Sequence, residues 1–360
     1  MNRRRLLWFQ LGILICFAML LIRLGWVQLI GVHPSGLGKR SVMSASVWQR
    51  GQGVVLDSGR GHFLDRNRAP LTGDPYLTLI VFPHGGDASF AEPDKLNRLT
   101  AILGTTEEEW RRRTDGMKEP IFWTRNGDSL PVRLSKAEAD AIDGLGLAGI
   151  VVAPYVNRYL PDAPASQLIG YVGENPELLA ELYAEELAAG TMRQSRKLGA
   201  AGLERTFDKY LQEGEPTTLS VWTDGNRRPR AHTPLSVHKP DNPFLPLHVV
   251  TTLDLDVQRA LDAILDSHQI GEGAAVILDA RSGDIVAMSS RPRFHPQDVH
   301  PERPDWSNQA LKAAAPGSVF KLVIAAAALE YRAAGPGEPF FCSGELGKYG
   351  LSCWKQGGHG

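Results

Sequence analysis

Cysteine is scarce in this 360-residue sequence, with three thiols in all, so it is no disulfide scaffold. Charge of one sign is also lacking. Its 39 Lys and Arg against 40 Asp and Glu leave a net charge of −1, which excludes a general nucleic-acid binder with a basic footprint. There is no low-complexity run, no internal repeat and no His-Glu-x-x-His pattern of a zinc protease. What remains is the composition of a folded protein, 43% hydrophobic and 22% charged, long enough for two ordinary domains and an anchor.

The long apolar run sits at the N-terminus. Arg3, Arg4 and Arg5 precede Leu6 to Ile22, which is broken only by Gln10; Arg23 follows, then Leu24 to Ile30 is mostly apolar again. At roughly 1.5 Å per residue the first stretch makes about 25 Å of helix, close to a hydrocarbon core. Arg23 can snorkel to the interface where Trp26 would also sit, and the basic cluster predicts a cytoplasmic N-terminus with the bulk outside. No small-x-small cleavage site follows, which favours an uncleaved anchor over a signal peptide. Cys16 lies inside it as apolar filler.

Downstream, Val54 to Leu56 and Tyr76 to Phe82 read as strands, the latter closed by Pro83-His84-Gly85-Gly86. Helical spacing appears at Leu96, Leu99 and Leu103. Thr106 to Arg113 runs from acids to arginines, and Ser135 with Glu138 forms a capping-box pattern. Pro176 to Ala189 and Ala201 to Leu211 predict two further helices, the second with Leu203, Phe207, Tyr210 and Leu211 on one face. Residues 228–246, rich in proline, read as an extended connector. After it come an amphipathic helix over Thr252 to Asp266 and a hairpin, Ala274 to Leu278 and Ile285 to Met288, turning at Arg281-Ser282-Gly283. Ser318 to Leu329 is nearly apolar all round and predicts a buried helix.

The chemistry concentrates at Pro316-Gly317-Ser318-Val319-Phe320-Lys321. A lysine one helical turn after a serine shares its face, and the amine can take the serine proton when burial or nearby cations lower its pKa. The helix N-terminus favours negative charge developing at that serine. The same four-residue pattern recurs at Ser236 with Lys239, before a proline, and at Ser352 with Lys355, among glycines. A plain serine cap with a snorkelling lysine is the alternative reading of Ser318 and Lys321. Cys342, Cys353 and His359 offer three ligands at a spacing that fits none of the common zinc sites, so no metal is expected; outside a membrane, a Cys342–Cys353 disulfide is open to the two thiols.

Several segments, in order, resemble class B penicillin-binding proteins. Arg60-Gly61-His62-Phe63-Leu64-Asp65-Arg66-Asn67 is similar to the family's motif near the membrane, with Arg68 where glycine is usual. Arg158-Tyr159-Leu160-Pro161 with Leu168-Ile169-Gly170-Tyr171-Val172-Gly173, Gly202-Leu203-Glu204-Arg205, and Thr251-Thr252-Leu253-Asp254 with Gln258 follow the same order. So do Gly283-Asp284-Ile285-Val286-Ala287-Met288 and Asn308 ahead of the Ser318 segment.

The resemblance implies an α+β architecture. Residues 1–30 would be the cytoplasmic tip and transmembrane helix. An irregular mixed α/β pedestal would span 31–248, and the first part of a penicillin-binding/serine β-lactamase-like transpeptidase domain 249–360. It implies that Ser318 is the acyl nucleophile, its N–H an oxyanion donor, and Lys321 the general base. The reaction would be D,D-transpeptidation of peptidoglycan stem peptides, with β-lactams acylating the same serine and no cofactor. Arg60, Gly61, Asp65 and Arg66 would be structural, Arg60, Asp65 and Arg66 forming an arginine–carboxylate network. The expected partners are membrane lipid through one helix and a SEDS-type glycan polymerase. The family's Ser-x-Asn and Lys-[Thr/Ser]-Gly elements do not occur after Ser318. The 360 residues are therefore expected to be the inactive front part of such an enzyme, its last domain unable to fold alone. The competing reading is a non-catalytic membrane scaffold of a cell-wall synthesis complex.

Overall fold

A computed structural model describes residues 3–29, 51–83, 92–188, 196–222 and 236–355, apart from 126, 148, 213, 301, 340, 347–350 and 354. The turn expected at 84–86, residues 228–235 of the connector and His359 lie outside the described residues. The chain forms two compact units, Met1–Ala310 and Leu311–Gly360.

Helix α1 (Arg3–Leu29) carries exposed apolar side chains, among them Ile13, Leu14, Phe17, Leu20 and Ile22. Among the described residues no helix is long and apolar enough to cross a membrane.

The pedestal is built on alternation. Strand β1 (Gly51–Asp57) and the short β2 (Phe63–Leu64) lead to β3 (Thr72–Val81), which is followed by α2 (Pro93–Leu103), α3 (Glu107–Thr114), β4 (Ile121–Phe122), α4 (Lys136–Asp143) and β5 (Ile150–Tyr159). β3 lies between β4 and β5, antiparallel to both, in register from Thr72↔Tyr159 to Val81↔Ile150. Successive β3 side chains face opposite ways. Leu79 and Val81 enter a cluster with Leu96, Leu99 and Leu103 of α2, Trp110 of α3 and Ile142 of α4. Ile80 and the adjoining Phe82 enter another with Val54 and Leu56 of β1. Both faces of the sheet are thus buried. Two helices carry side-chain caps here, the second of them the box the sequence implies. Thr106 accepts from Glu109 N–H, and Ser135 and Glu138 complete a reciprocal capping box.

Two expected helices break. Pro176 to Ala189 divides into α6 (Pro176–Leu182) and α7 (Ala184–Ala188), after α5 (Ser166–Ile169) and β6 (Val172–Gly173). Tyr183 leaves helical geometry and donates its hydroxyl to Asp208 Oδ2 at 2.6 Å. Beyond β7 (Leu198–Gly199), Ala201 to Leu211 divides into α8 (Gly202–Thr206) and α9 (Asp208–Leu211) at Phe207, whose ring meets Phe63 edge-on. Tyr210, expected on the buried face, is exposed.

Strand β8 (Thr217–Trp222) pairs with β1, and the connector supplies a strand of its own. Ser236–His238, β9, pairs with β8 as the third strand of that sheet. The chain then crosses to β2 through β10 (Val249–Val250), parallel to it. Helix α10 (Leu255–Ser267), capped by Asp254, precedes the antiparallel hairpin β11 (Gly273–Leu278) and β12 (Ile285–Arg291). Leu253, Leu255 and Ile285 pack with Phe63, Leu71, Ile169 and Leu211, so residues on both sides of the connector share one core.

In the second unit a 3-10 turn, Gly317–Val319, runs into α11 (Phe320–Glu330), and β13 (Glu345–Leu346) pairs with β14 (Leu351–Ser352). The helix is not buried as expected: none of its residues is, and Leu322, Val323, Ile324 and Leu329 are exposed. A helix apolar on every side needs neighbours on every side. Among the described residues of Leu311–Gly360, the 3-10 turn and two-stranded hairpin do not supply them.

Candidate active site and its buried support

Ser318 lies in the 3-10 turn, which Pro316 precedes and Gly317 opens at φ +57. Lys321 follows in the first turn of α11. Their spacing puts them on one face. Both side chains are exposed, and among the described residues neither makes a hydrogen bond or ion pair. The turn that presents the serine is formed; the desolvation that activates a lysine base is not. Cys342 is buried and Cys353 half-buried on the flanks of β13–β14, where Cys353 N–H donates to Gly344 O at 2.9 Å. Asn308, in the first unit, points its amide at Met288 Sδ, 3.2 Å away.

The most constrained charges lie in the pedestal. Arg60 donates through Nε and Nη2 to Glu204 Oε2, at 2.8 and 2.6 Å, and through Nη1 to Asp208 Oδ1 at 2.8 Å. Arg158 grips the other oxygen of Glu204 through Nε at 2.6 Å and the Gly61 carbonyl through Nη1 at 2.6 Å. Asp208 also accepts from Tyr183, Gln212 and the Gly199 N–H. Burial opposes the charge on Arg60, but Glu204 and Asp208 outweigh it and hold the guanidinium pKa above its ordinary value. For Asp208 burial is likewise outweighed, here by its donors and by Arg60, and its pKa falls. Burial dominates at Arg158, ahead of the opposing pull of Glu204, and lowers its pKa.

The network expected among Arg60, Asp65 and Arg66 therefore forms differently, because Arg60 finds its carboxylates on α8 and α9. Asp65 instead binds backbone: Oδ1 accepts from Asn67 and Ala69 N–H, and Oδ2 from Leu255 N–H. Arg66 is exposed, its N–H donating to Leu253 O. Gly61 is required by contact, since a Cβ there would strike the Leu247 carbonyl. Glu204 and Arg158 both lie in segments the sequence marks, but Asp208 and Tyr183 carried no signal of their pairing.

His62 stacks on His248, with ring centroids 5.4 Å apart, and the backbone N–H of His62 donates to His248 Nδ1. Arg158 Nη1 lies 3.3 Å from His62 Nδ1. Burial, then Arg158 and His248, push the His62 pKa down to about 4.

A family model described as the penicillin-binding protein transpeptidase domain matches residues 273–359, and one for the penicillin-binding protein dimerisation domain matches 55–233. Stage V sporulation protein D of Bacillus subtilis (strain 168) is 29% identical over 99% of this chain and 51% of its own length. Peptidoglycan D,D-transpeptidase FtsI of Escherichia coli (strain K12) is 23% identical over 88% and 49%. The fold is shared, at TM-score 0.55 and 22% identity, with a chain in a structure described as "Structural coordination of polymerization and crosslinking by a peptidoglycan synthase complex", covering 100% of this chain and 61% of that one. The chain spans about half the length of these two curated relatives.

Proposed function

Since the chain belongs to the class B penicillin-binding proteins, we propose that the whole protein is a peptidoglycan D,D-transpeptidase in which Ser318 forms an acyl-enzyme. One observation carries the proposal: Ser318 stands on a Pro-Gly turn with Lys321 one helical turn on, within the residues matched by the transpeptidase model.

In this reading Ser318 Oγ attacks the penultimate D-alanine carbonyl of a stem peptide while Lys321 takes its proton. The Ser318 N–H donates to the oxyanion. The C–N bond breaks, terminal D-alanine leaves with a proton, and an amine of a neighbouring strand then takes the acyl group and frees the serine. A β-lactam acylates Ser318 by the same attack, its ring amide opening without loss of the amine. No cofactor enters.

The exposed apolar side chains of α1, with three arginines before them in the sequence, support a single-pass anchor in the bacterial cell membrane. Its N-terminus would be cytoplasmic and its bulk extracytoplasmic. The pedestal would then meet a SEDS-type glycan polymerase, in keeping with the neighbour's description as a synthase complex.

The test is labelling of the full-length protein by a fluorescent penicillin. Label on the wild type and none on Ser318→Ala or Lys321→Ala is the expected result. A folded wild type that takes no label, with its cell-wall complex still assembling, would favour the scaffold instead.

A further inference from the structure

Helix α5 follows an unusual piece of backbone. Ala163 and Ala165, on either side of Pro164, both take positive φ, 39° and 50°. Left-handed geometry is sterically costly for an alanine, so two within three residues persist only where surrounding contacts hold them. Those contacts come from beyond the connector. Arg259 of α10 pairs with Asp162 through Nε at 2.6 Å, and Arg293 donates to the Asp162 carbonyl at 2.8 Å. Arg293 and Arg291 are themselves anchored on Asp266 of α10.

The strained turn delivers Gln167. Its side chain is buried, and its Nε2 faces main-chain carbonyls of Pro292 at 2.8 Å, Asp305 at 3.2 Å and Ser290 at 3.3 Å. An amide nitrogen has two protons, so these acceptors share them in a forked arrangement that neither a hydroxyl nor a carboxylate can reproduce. One acceptor lies on β12, one just past it, and one in the segment before Asn308. The tie extends further: Ser290 Oγ accepts from Gln309 N–H at 3.0 Å, where the chain sets out toward Ser318. Within the segment, Asp305 Oδ1 is buried with no hydrogen bond among the described residues, a cost that has to be offset by contacts such as this one.

We propose that Gln167 is a positioning residue for the transpeptidase reaction: its amide locks the pedestal turn 162–167 onto β12 and onto the segment entering the nucleophile region. The proposal rests on the transpeptidase reading above. A purely structural tie would add stability and nothing more.

The test uses the full-length protein. Gln167→Glu keeps the shape but turns an acceptor toward the carbonyls, Gln167→His retains one ring N–H, and Leu99→Ala loosens a pedestal core remote from the turn. Two quantities are measured in each: hydrogen exchange of residues 304–310, and the second-order rate of penicillin acylation set against the melting temperature. Misplacement by a remote change costs up to about 100-fold in rate. Gln167→Glu is expected to speed exchange at 304–310 and slow acylation by about tenfold or more. Gln167→His should recover part of both, and Leu99→Ala should lower the melting temperature while leaving the rate within about twofold.

The proposal is overturned if exchange at 304–310 is unchanged in Gln167→Glu. It is equally overturned if acylation in all variants simply follows the melting temperature. Failure of the transpeptidase reading looks different: the wild type then takes no penicillin at Ser318, whatever the exchange data show.

Discussion

Arg60 and Glu204 lie 144 positions apart in the sequence and meet in a forked pair whose carboxylate is wholly buried, 2.6 Å at its shortest. Because Arg158 holds the second oxygen, one carboxylate balances two guanidinium groups, with Asp208 as the other anion. Glu204→Ala leaves two buried cations facing one acid. Removing one partner of a buried pair costs about 3–5 kcal/mol. The pedestal is expected to unfold at correspondingly lower urea, read by tryptophan fluorescence at Trp110 and Trp123. Arg60→Lys should lose nearly as much, since an ammonium cannot span Glu204 and Asp208 as the fork does.

The histidine stack predicts a pH dependence. His62 titrates near 6.5 when unfolded and near 4 when folded, so between these values the unfolded chain binds more protons. Stability therefore rises with pH across that window and is flat above it. Urea midpoints taken from pH 7 to 4.5 should fall steadily in the wild type. In His62→Gln, where Arg158 and His248 face a neutral amide, the fall should be shallower. Equal slopes would assign the acid sensitivity to other groups.

What the sequence made legible was local. Ser135 and Glu138 sit three residues apart and form their box from that spacing alone; Leu96, Leu99 and Leu103 bury one face of α2. The hairpin β11–β12 was equally plain. The partners of Arg60 were not, because nothing near it in the chain marks Glu204 and Asp208 as the acids that fold back onto it. The break at Tyr183 depends on the same distant Asp208. Nor did the proline-rich composition around residue 237 reveal that the edge of β8 was vacant for Ser236–His238. The serine-lysine spacing was legible; the exposure of α11 was not, since periodicity reports how apolar a helix is and not what stands beside it.

Arg68 occupies a position where glycine suits the backbone better. Its φ is 65°, and the turn is fixed by Arg68 N–H to Asp65 O at 3.0 Å and by the Asp65 carboxylate on Asn67 and Ala69. Only glycine takes this conformation without a steric cost of about 1–2 kcal/mol, part of which is returned as glycine's extra freedom when unfolded. Arg68→Gly should therefore stabilise the pedestal by up to about 1 kcal/mol, measured as a higher urea midpoint. Arg68→Val, β-branched at positive φ, should do the reverse.

The exposed helix sets the last expectation. Val319, Leu322, Val323, Ile324 and Leu329 face solvent in the 360-residue chain, around a serine and lysine that are solvated too. A lysine serves as base when its ammonium is desolvated, and an oxyanion is stabilised best where water is excluded. Penicillin should thus acylate Ser318 in this chain at the slow rate of an unactivated serine hydroxyl. The full-length protein should react faster by orders of magnitude, as positioned acid–base catalysis alone is worth about 100- to 10,000-fold. An apolar dye should fluoresce on the 360-residue chain and dim when these leucines and isoleucines are changed to serine. Rapid acylation of the short chain would mean that α11 finds cover within these residues in solution, and that Ser318 and Lys321 need nothing more to react.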